Sequence, residues 1–282
     1  YTGSNMHVSL DSALGRQRRL NSVGESVLQI APNAAAAYSL RSLTGGDPKV
    51  VRVRRDTDGG AGDNDEQDFT ASGISSGALV AFVGSGNDGF VETWYDQSGN
   101  GNDTVQATAG NQPKIVSSGS LVAEGGLLFN GDTNFFDIGS SISLGTEFFF
   151  TGVLNRNSAV DANGTIIGND SGGGGNRAFL NTSTNVIALR DGDANIQSSL
   201  VPSDSSDSLI SYQASASSFT FILNGTTNVK SALTGGQSFR YMGGGSGFNL
   251  SANLKELIVY NTDQTANRTA IEANINSHYS IF

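Results

Sequence analysis

Three times after residue 126 of this 282-residue chain a short apolar run stops at Asn-Gly or Asp-Gly and another begins. The pairs are 130–131 between Leu127-Leu128-Phe129 and Phe135-Phe136, 191–192 between 186–189 and Ile196, and 224–225 between 219–223 and Val229. These dipeptides accept the positive φ angles of a two-residue hairpin turn, so they are the strongest short-range signal for antiparallel pairing. Residues 147–154 form a continuous apolar run, which suits a central strand buried on both faces. With ten or more short strands expected and little helix, the pattern predicts an all-β fold: a two-sheet β-sandwich or jelly roll. No internal repeat of fixed period interrupts it. The 37 glycines suit many tight turns, and 15 phenylalanines are enough for a real core.

Towards the N-terminus the signals are mixed. Residues 1–35 carry loosely spaced apolar positions, two interrupting glycines and the cluster Arg16-Gln17-Arg18-Arg19; they read as an attachment arm or linker with partial helix, ending near Pro32. The domain division that follows is 1–35 for the arm and 36–282 for the sandwich. Residues 34–43 fit a helix or a strand, and Val51 and Val53 alternate with Arg52 and Arg54 as in a half-buried strand. Ser76 is placed to cap a short helix over 77–83 that stops at Gly84. Residues 254–260 read as the last strand, with Leu257 and Val259 opposed to Glu256 and Ile258. Asp263 then stands before a terminal helix striped by Ile271, Ile275 and Tyr279.

Charge narrows the partners. The net charge is −10, but residues 1–56 sum to +4 and the remainder to −14. An acidic body repels nucleic acid, so none is expected as a partner. No apolar run approaches the roughly 20 residues that span a bilayer. The chain has no cysteine, which removes disulfides, thiolate metal sites and a cysteine nucleophile. His7 and His278 are its only histidines, too few for a histidine-rich metal site, and they make a Ser-His-Asp triad improbable. Gly172-Gly173-Gly174-Gly175 lacks the following Lys-Ser/Thr of a phosphate loop. Sequons at Asn163, Asn224 and Asn267 matter only in a eukaryotic secretory pathway.

The densest stretch is Trp94-Tyr95-Asp96-Gln97-Ser98-Gly99-Asn100-Gly101-Asn102-Asp103. A strand over 90–95 runs into residues that are nearly all small, polar or turn-forming. Two readings stand: a rigid turn tied by side-chain hydrogen bonds, or a Ca²⁺ loop using Asp96, Asn100, Asn102 and Asp103 as hard oxygen ligands. The spacing is not that of an EF-hand. No other cofactor is expected. Trp94, the sole tryptophan, is either a buried core residue or a stacking platform for a sugar ring.

Ala35-Ala36-Ala37-Tyr38-Ser39-Leu40-Arg41, then Val51-Arg52-Val53-Arg54-Arg55, then 95–103 occur in an order that resembles the opening of the catalytic domain of the α-L-arabinofuranosidase B family. The back half looks like a laminin-G-like, concanavalin A-like sandwich. Together they resemble marine phage and bacterial proteins described as virion structural proteins, over about residues 34–282. In the arabinofuranosidases the resemblance implies a nucleophilic Glu and an acid/base Asp, the retaining pair. Where the nucleophile segment would fall, this chain has Phe179-Leu180-Asn181-Thr182-Ser183-Thr184; where the Asp would fall it has Gly243-Gly244-Gly245. The family's cysteines are missing as well.

The resemblance therefore implies a fold without its reaction. The expectation is a non-enzymatic phage virion structural or adhesion protein: a capsid decoration, fibre or tail component. It would be held to other virion proteins through residues 1–35 and form a homo-oligomer, with weak binding of host-surface glycans. Arg190, Asp191, Asp193 and Asn195 are the weak carbohydrate-binding candidates, and a solvated hairpin tip is the simpler reading of the same residues. The alternatives are a secreted carbohydrate-binding module, or a glycosidase using other carboxylates such as Asp191 or Glu124.

Overall fold

The computed structural model describes residues 24–57, 65–123, 125–157, 164–169, 175–181, 183–204, 206–244 and 248–282. Expectations at the basic cluster of residues 16–19, His7, Glu124, Asn163 and glycines 172–174 lie outside these residues. Helix α1 (Val27–Ile30) comes first, then strands β1 (Ala36–Ser39), β2 (Lys49–Asp56) and β3 (Glu66–Thr70). Helices α2 (Ala71–Ser75) and α3 (Ala78–Val83) precede β4 (Asp88–Trp94), β5 (Thr104–Val105), β6 (Lys114–Ser117), β7 (Ser120–Leu121) and β8 (Leu127–Asn130). Next come β9 (Phe136–Gly145), β10 (Phe148–Arg156), β11 (Gly164–Gly168), β12 (Arg177–Leu180), β13 (Ile187–Asp191) and β14 (Ala194–Gln197). The chain closes with β15 (Ser208–Ala214), β16 (Ser218–Leu223), β17 (Thr226–Ser231), β18 (Gln237–Met242), β19 (Ser251–Tyr260) and helix α4 (Arg268–Tyr279).

Antiparallel pairing arranges these strands as a sandwich. One layer runs β17-β16-β15-β10-β19; beyond β19 it continues to β1 and to β8, and from β8 through β6, β4 and β2 to β3. The other runs β9-β18-β11-β12-β13-β14. Side chains bridge strands that do not pair: the Tyr212 hydroxyl of β15 donates to the Ala188 carbonyl of β13 at 3.3 Å. Phe129 of β8 meets Phe136 of β9 edge-on, with ring centroids 5.9 Å apart. The interior is aromatic, with Tyr212 stacked on Phe150 at 4.4 Å and edge-on to Phe221 at 5.2 Å. Such pairs add about 0.5–1.5 kcal/mol each beyond the area they bury.

The 147–154 run behaves as its composition requires. In β10, Phe148, Phe150 and Leu154 enter the inter-sheet core, while Phe149 and Val153 pack outwards beneath α4 against Ile271 and Ile275. Helix, sheet and sheet therefore form three layers at this point. Val27, Ala31 and Ala34 belong to the same helix-side cluster, and the Tyr260 hydroxyl donates to the Ala31 carbonyl. Residues 24–35, expected to be part of an arm, are thus built into the body, and the boundary at residue 35 moves towards the N-terminus.

Local corrections have local causes. The 224–225 turn is a hairpin as read, with φ of 47° at Asn224 and 78° at Gly225, the double positive angle this turn needs; a hairpin forms at 191–192 too, but its loop is Gly192-Asp193, because Asp191 still pairs with Ala194. The 130–131 turn is not a hairpin. The Asn130 side chain accepts from the amides of Asp132, Thr133 and Asn134, and the chain crosses to the opposite layer. There β9 pairs with β18, while β8 pairs with β19. Ser76 does not cap the 78–83 helix; Gly77, at φ 83°, starts it, and Thr70 caps the preceding turn by accepting from the Gly73 amide. Asn267 stands at the N-cap of α4, and Asp263 instead accepts from Thr265 and Gln213. Arg54 is buried rather than solvated.

Helix α4 also carries a buried acid. Glu272 has one carboxylate oxygen without a partner, and burial pushes its pKa above the ordinary glutamate value despite help from Ser211 and Arg268. A raised folded-state pKa gives stability that is full in acid and declines as pH rises through that value. Glu272→Gln should therefore raise stability at pH 7 by about 1 kcal/mol, with the gain fading below about pH 4. Urea titrations at the two pH values measure it, and a gain of equal size at both would contradict the assignment.

Candidate functional site

The Trp94–Asp103 stretch forms a corner that clamps β1. Asp96 Oδ1 accepts from the amides of Ala37 (2.9 Å) and Ser98 (2.8 Å), and Oδ2 from the Ser98 hydroxyl (2.7 Å) and the Asn102 amide (3.0 Å). Asp103 accepts from the Asp96 amide at 2.8 Å. Asn100 and Asn102 turn their amide nitrogens onto the carbonyls of Ala34 and Ala35. Gln97 donates to the carbonyls of Ser39 and Arg41 and accepts from Leu43. The four residues considered as Ca²⁺ ligands are thus engaged with the backbone, and Asp96 already accepts four hydrogen bonds. Among the described residues no group of three or more His, Asp or Glu side chains is placed to hold a metal ion. Trp94 is fully buried, tilted against Tyr38 at 5.7 Å, so it is no sugar platform.

Arg190, Asp191, Asp193 and Asn195 are brought together on the β13–β14 hairpin. Arg190 reaches Asp193 at 3.4 Å, Asp193 is fully exposed, and Asp191 accepts from Gln237 at 3.0 Å. The Asn176 side chain accepts from the Gly192 amide, docking the tip on the start of β12. The arrangement is a charged, solvent-facing rim.

The two segments that the family resemblance would place at the catalytic positions, 179–184 and 243–245, approach each other through β11 over their described residues. Gly164 of β11 pairs with Leu180, next to Asn181, and the Gly243 amide donates to the Ile166 carbonyl. Asn181 accepts from the Ser183 amide and hydroxyl and from the Thr184 amide, so its side chain closes a turn. A Cβ on Gly243 would stand 2.1 Å from the Phe129 ring, and one on Gly244 would stand 2.7 Å from backbone atoms, so neither position has room for an aspartate as the chain is packed. Three carboxylates elsewhere in these layers are paired with cations: Asp204 with Arg156, Asp207 with Lys255, and Asp137 with Arg240. The Arg240 guanidinium, with help from the Gly139 amide, holds the Asp137 carboxyl below its usual range against a smaller opposing effect of burial. That direction is opposite to what a general acid needs.

A buried polar centre leaves almost no mark in the sequence. A cavity of about 590 Å³ lies between the 40–47 loop, α2 and the end of α4, and Arg41, His278 and Tyr279 line it. Beside it Glu256, with no solvent exposure, accepts from Arg41 Nε (2.7 Å) and Nη2 (2.9 Å), from the Ser39 hydroxyl (2.9 Å) and from the Tyr279 hydroxyl (3.3 Å). Arg41 also donates to Asn274 of α4. Burial lowers the His278 pKa, and the nearby Arg41 charge lowers it further. The centre joins β1, β19 and α4; its one readable signal was a glutamate in the largely apolar 254–260 stretch, beside Lys255.

No protein-family description and no curated protein matches the sequence. Among solved structures, a mutant GH54 α-L-arabinofuranosidase soaked with 4-nitrophenyl α-L-arabinofuranoside matches 90% of this chain at 15% identity with a TM-score of 0.67. An arabinofuranosidase complexed with arabinofuranosyl-α-1,2-xylobiose matches at 16% identity and a TM-score of 0.66. The chain spans 64% of the length of each. The likeness establishes the sandwich as an arabinofuranosidase-type fold, and at this identity it establishes the fold alone.

Proposed function

We propose that this chain is a non-hydrolytic structural or adhesion protein of a phage particle, facing glycans with its exposed loops. The reading is supported by the two segments that the resemblance places at the catalytic positions, 179–184 and 243–245, whose sequences hold no carboxylate. Retaining hydrolysis uses two carboxyl groups about 5–5.5 Å apart, and Gly243 and Gly244 are packed where a side chain does not fit. The corner at 95–103 and the strands around it keep the framework that the resemblance implies. In this reading the arm, shortened to the residues before the 24–35 segment that packs on the body, leads to other virion proteins, and the rim of Arg190, Asp191, Asp193 and Asn195 is one place where a host glycan contacts the particle. The protein acts in the virion as a homo-oligomer.

Mass spectrometry of purified particles should find the protein at stoichiometric copy number, and its absence would overturn the reading. Incubation with an aryl α-L-arabinofuranoside should release no phenol above blank; turnover at enzymatic rates would return the chain to the hydrolases.

A further inference from the structure

On the face of β2, β4, β6 and β8 turned away from the core, one residue from each strand stands in a cross-strand row. Arg54 pairs with Phe90, Phe90 with Lys114, and Lys114 with Leu128. The neighbouring Val53, Val91, Ile115 and Phe129 point the other way, into the sandwich. The row forms the floor of a cleft of about 450 Å³, walled by the 109–112 turn and by Asn130 and Asn134. That volume lies in the range of small-ligand sites. The Phe90 ring sits between two cations, with the Arg54 guanidinium 4.9 Å and the Lys114 ammonium 5.4 Å from its centroid.

The hydrogen-bond capacity of the cleft is lopsided. Gln112 accepts from Arg54 Nε at 2.9 Å and donates to the Gln106 carbonyl at 2.9 Å. Asn134 donates to the Gln112 carbonyl and accepts from the Asn130 amide, while Asn130 is occupied in its own turn. The lining amides are therefore committed within the protein. The donors left over belong to the cations. The Arg54 side chain is only 8% exposed; its Nε is bound to Gln112, and its Nη1 keeps a loose ion pair with Asp56 Oδ2 at 4.0 Å. Lys114 gives one bond, to Asp88 at 2.6 Å. The terminal nitrogens of Arg54 are not among the buried atoms that lack a partner, so they face the solvent of the cleft, and a planar fork of N–H groups matches a carboxylate in two-point contact. Asp56 and Asp88 already offset the two cations, so an anion here is held by oriented N–H donors rather than by net charge, and a monoanion meets less repulsion than a phosphate with nearly two negative charges.

The geometry points to a binding site for an acidic sugar: the carboxylate of a uronate residue is held by Arg54 and Lys114, with the C–H face of the pyranose against Phe90 and Leu128. The sugar part of this assignment rests on the glycan-facing reading above; the carboxylate part rests on the cleft alone.

The test uses nitrogen-15 NMR titrations of the full chain with tri-galacturonate, its methyl ester and a neutral galactose trisaccharide. The acid should shift resonances of Arg54 and of residues 109–112, and bind at least 10-fold more tightly than the ester or the neutral sugar. Gly110→Leu gives a variant that keeps the fold, because a Cβ there meets nothing within 4 Å. It should weaken uronate binding at least 10-fold with an unchanged melting temperature. Arg54→Lys, which keeps charge and loses the fork, should weaken it about 5-fold or more. Equal binding of acid and ester, no binding of the acid, or wild-type affinity in Gly110→Leu would each overturn the site. None of these results bears on copy number in particles or on arabinofuranoside turnover, so the two readings fail separately.

Discussion

Truncating Arg41 to alanine should cost the fold about 3–5 kcal/mol, the usual penalty for leaving one member of a buried ion pair alone. Glu256 has no solvent exposure, and Arg41 meets both of its oxygens, at 2.7 and 2.9 Å. After truncation only the neutral hydroxyls of Ser39 and Tyr279 would face the carboxylate. The link from Arg41 to Asn274 would go too, loosening α4 from the sheet. Guanidinium denaturation gives the number directly, and the melting temperature should fall by on the order of 10 °C. The double variant Arg41→Met/Glu256→Met should recover most of the loss, since apolar replacement of a whole buried pair is often neutral. A single-variant loss below 1 kcal/mol would mean that water reaches Glu256 and that the pair is not what ties the helix down.

Asp96→Ala should be nearly as damaging, at roughly 2–3 kcal/mol, because one carboxylate answers three backbone amides and a hydroxyl. The bond from the Ala37 amide joins the corner to β1, so local turn repair cannot replace it. Asp96→Asn leaves a single acceptor oxygen and should fall between wild type and alanine. Added Ca²⁺ should leave the melting temperature of the wild-type protein unchanged, since Asp96 is already engaged by protein donors. A rise of several degrees would revive the ion-loop reading.

What could be read from the sequence was what neighbouring residues decide. The turns at 191–192 and 224–225 are set by backbone angles that Gly and Asn accept, and the two-faced burial of 147–154 follows from its unbroken apolar composition. The turn at 130–131 carries the same dipeptide signal, but three amides captured by Asn130 and the pairing of β8 with β19 override it. Partner choice between strands more than a hundred residues apart leaves no local mark. The same holds for Arg41 and Glu256, which are 215 positions apart, and for the cross-strand row of Arg54, Phe90, Lys114 and Leu128. Arg54 read as the polar half of an alternating strand; only the register beside β4 and β6 shows that a cleft covers it.

The last strand contains one residue more than its partner opposite. Val153 faces Glu256 and Leu154 faces Leu254, so Lys255 is left over as a bulge. On one side of it Ala252 and Leu254 enter the inter-sheet core; on the other, Leu257 and Val259 do, three and five positions after Leu254. Lys255 therefore works as a phase shifter, letting a single strand satisfy two alternations of opposite parity. Without that step, even-numbered positions would face inwards throughout, and the Glu256 carboxylate would be driven among the aromatic rings instead of towards Arg41. Forcing Lys255 into the ladder would thus be a frame error in space, since every residue after it would keep its identity and exchange its face, whereas deleting it would keep every face because Glu256 would then follow Leu254 directly.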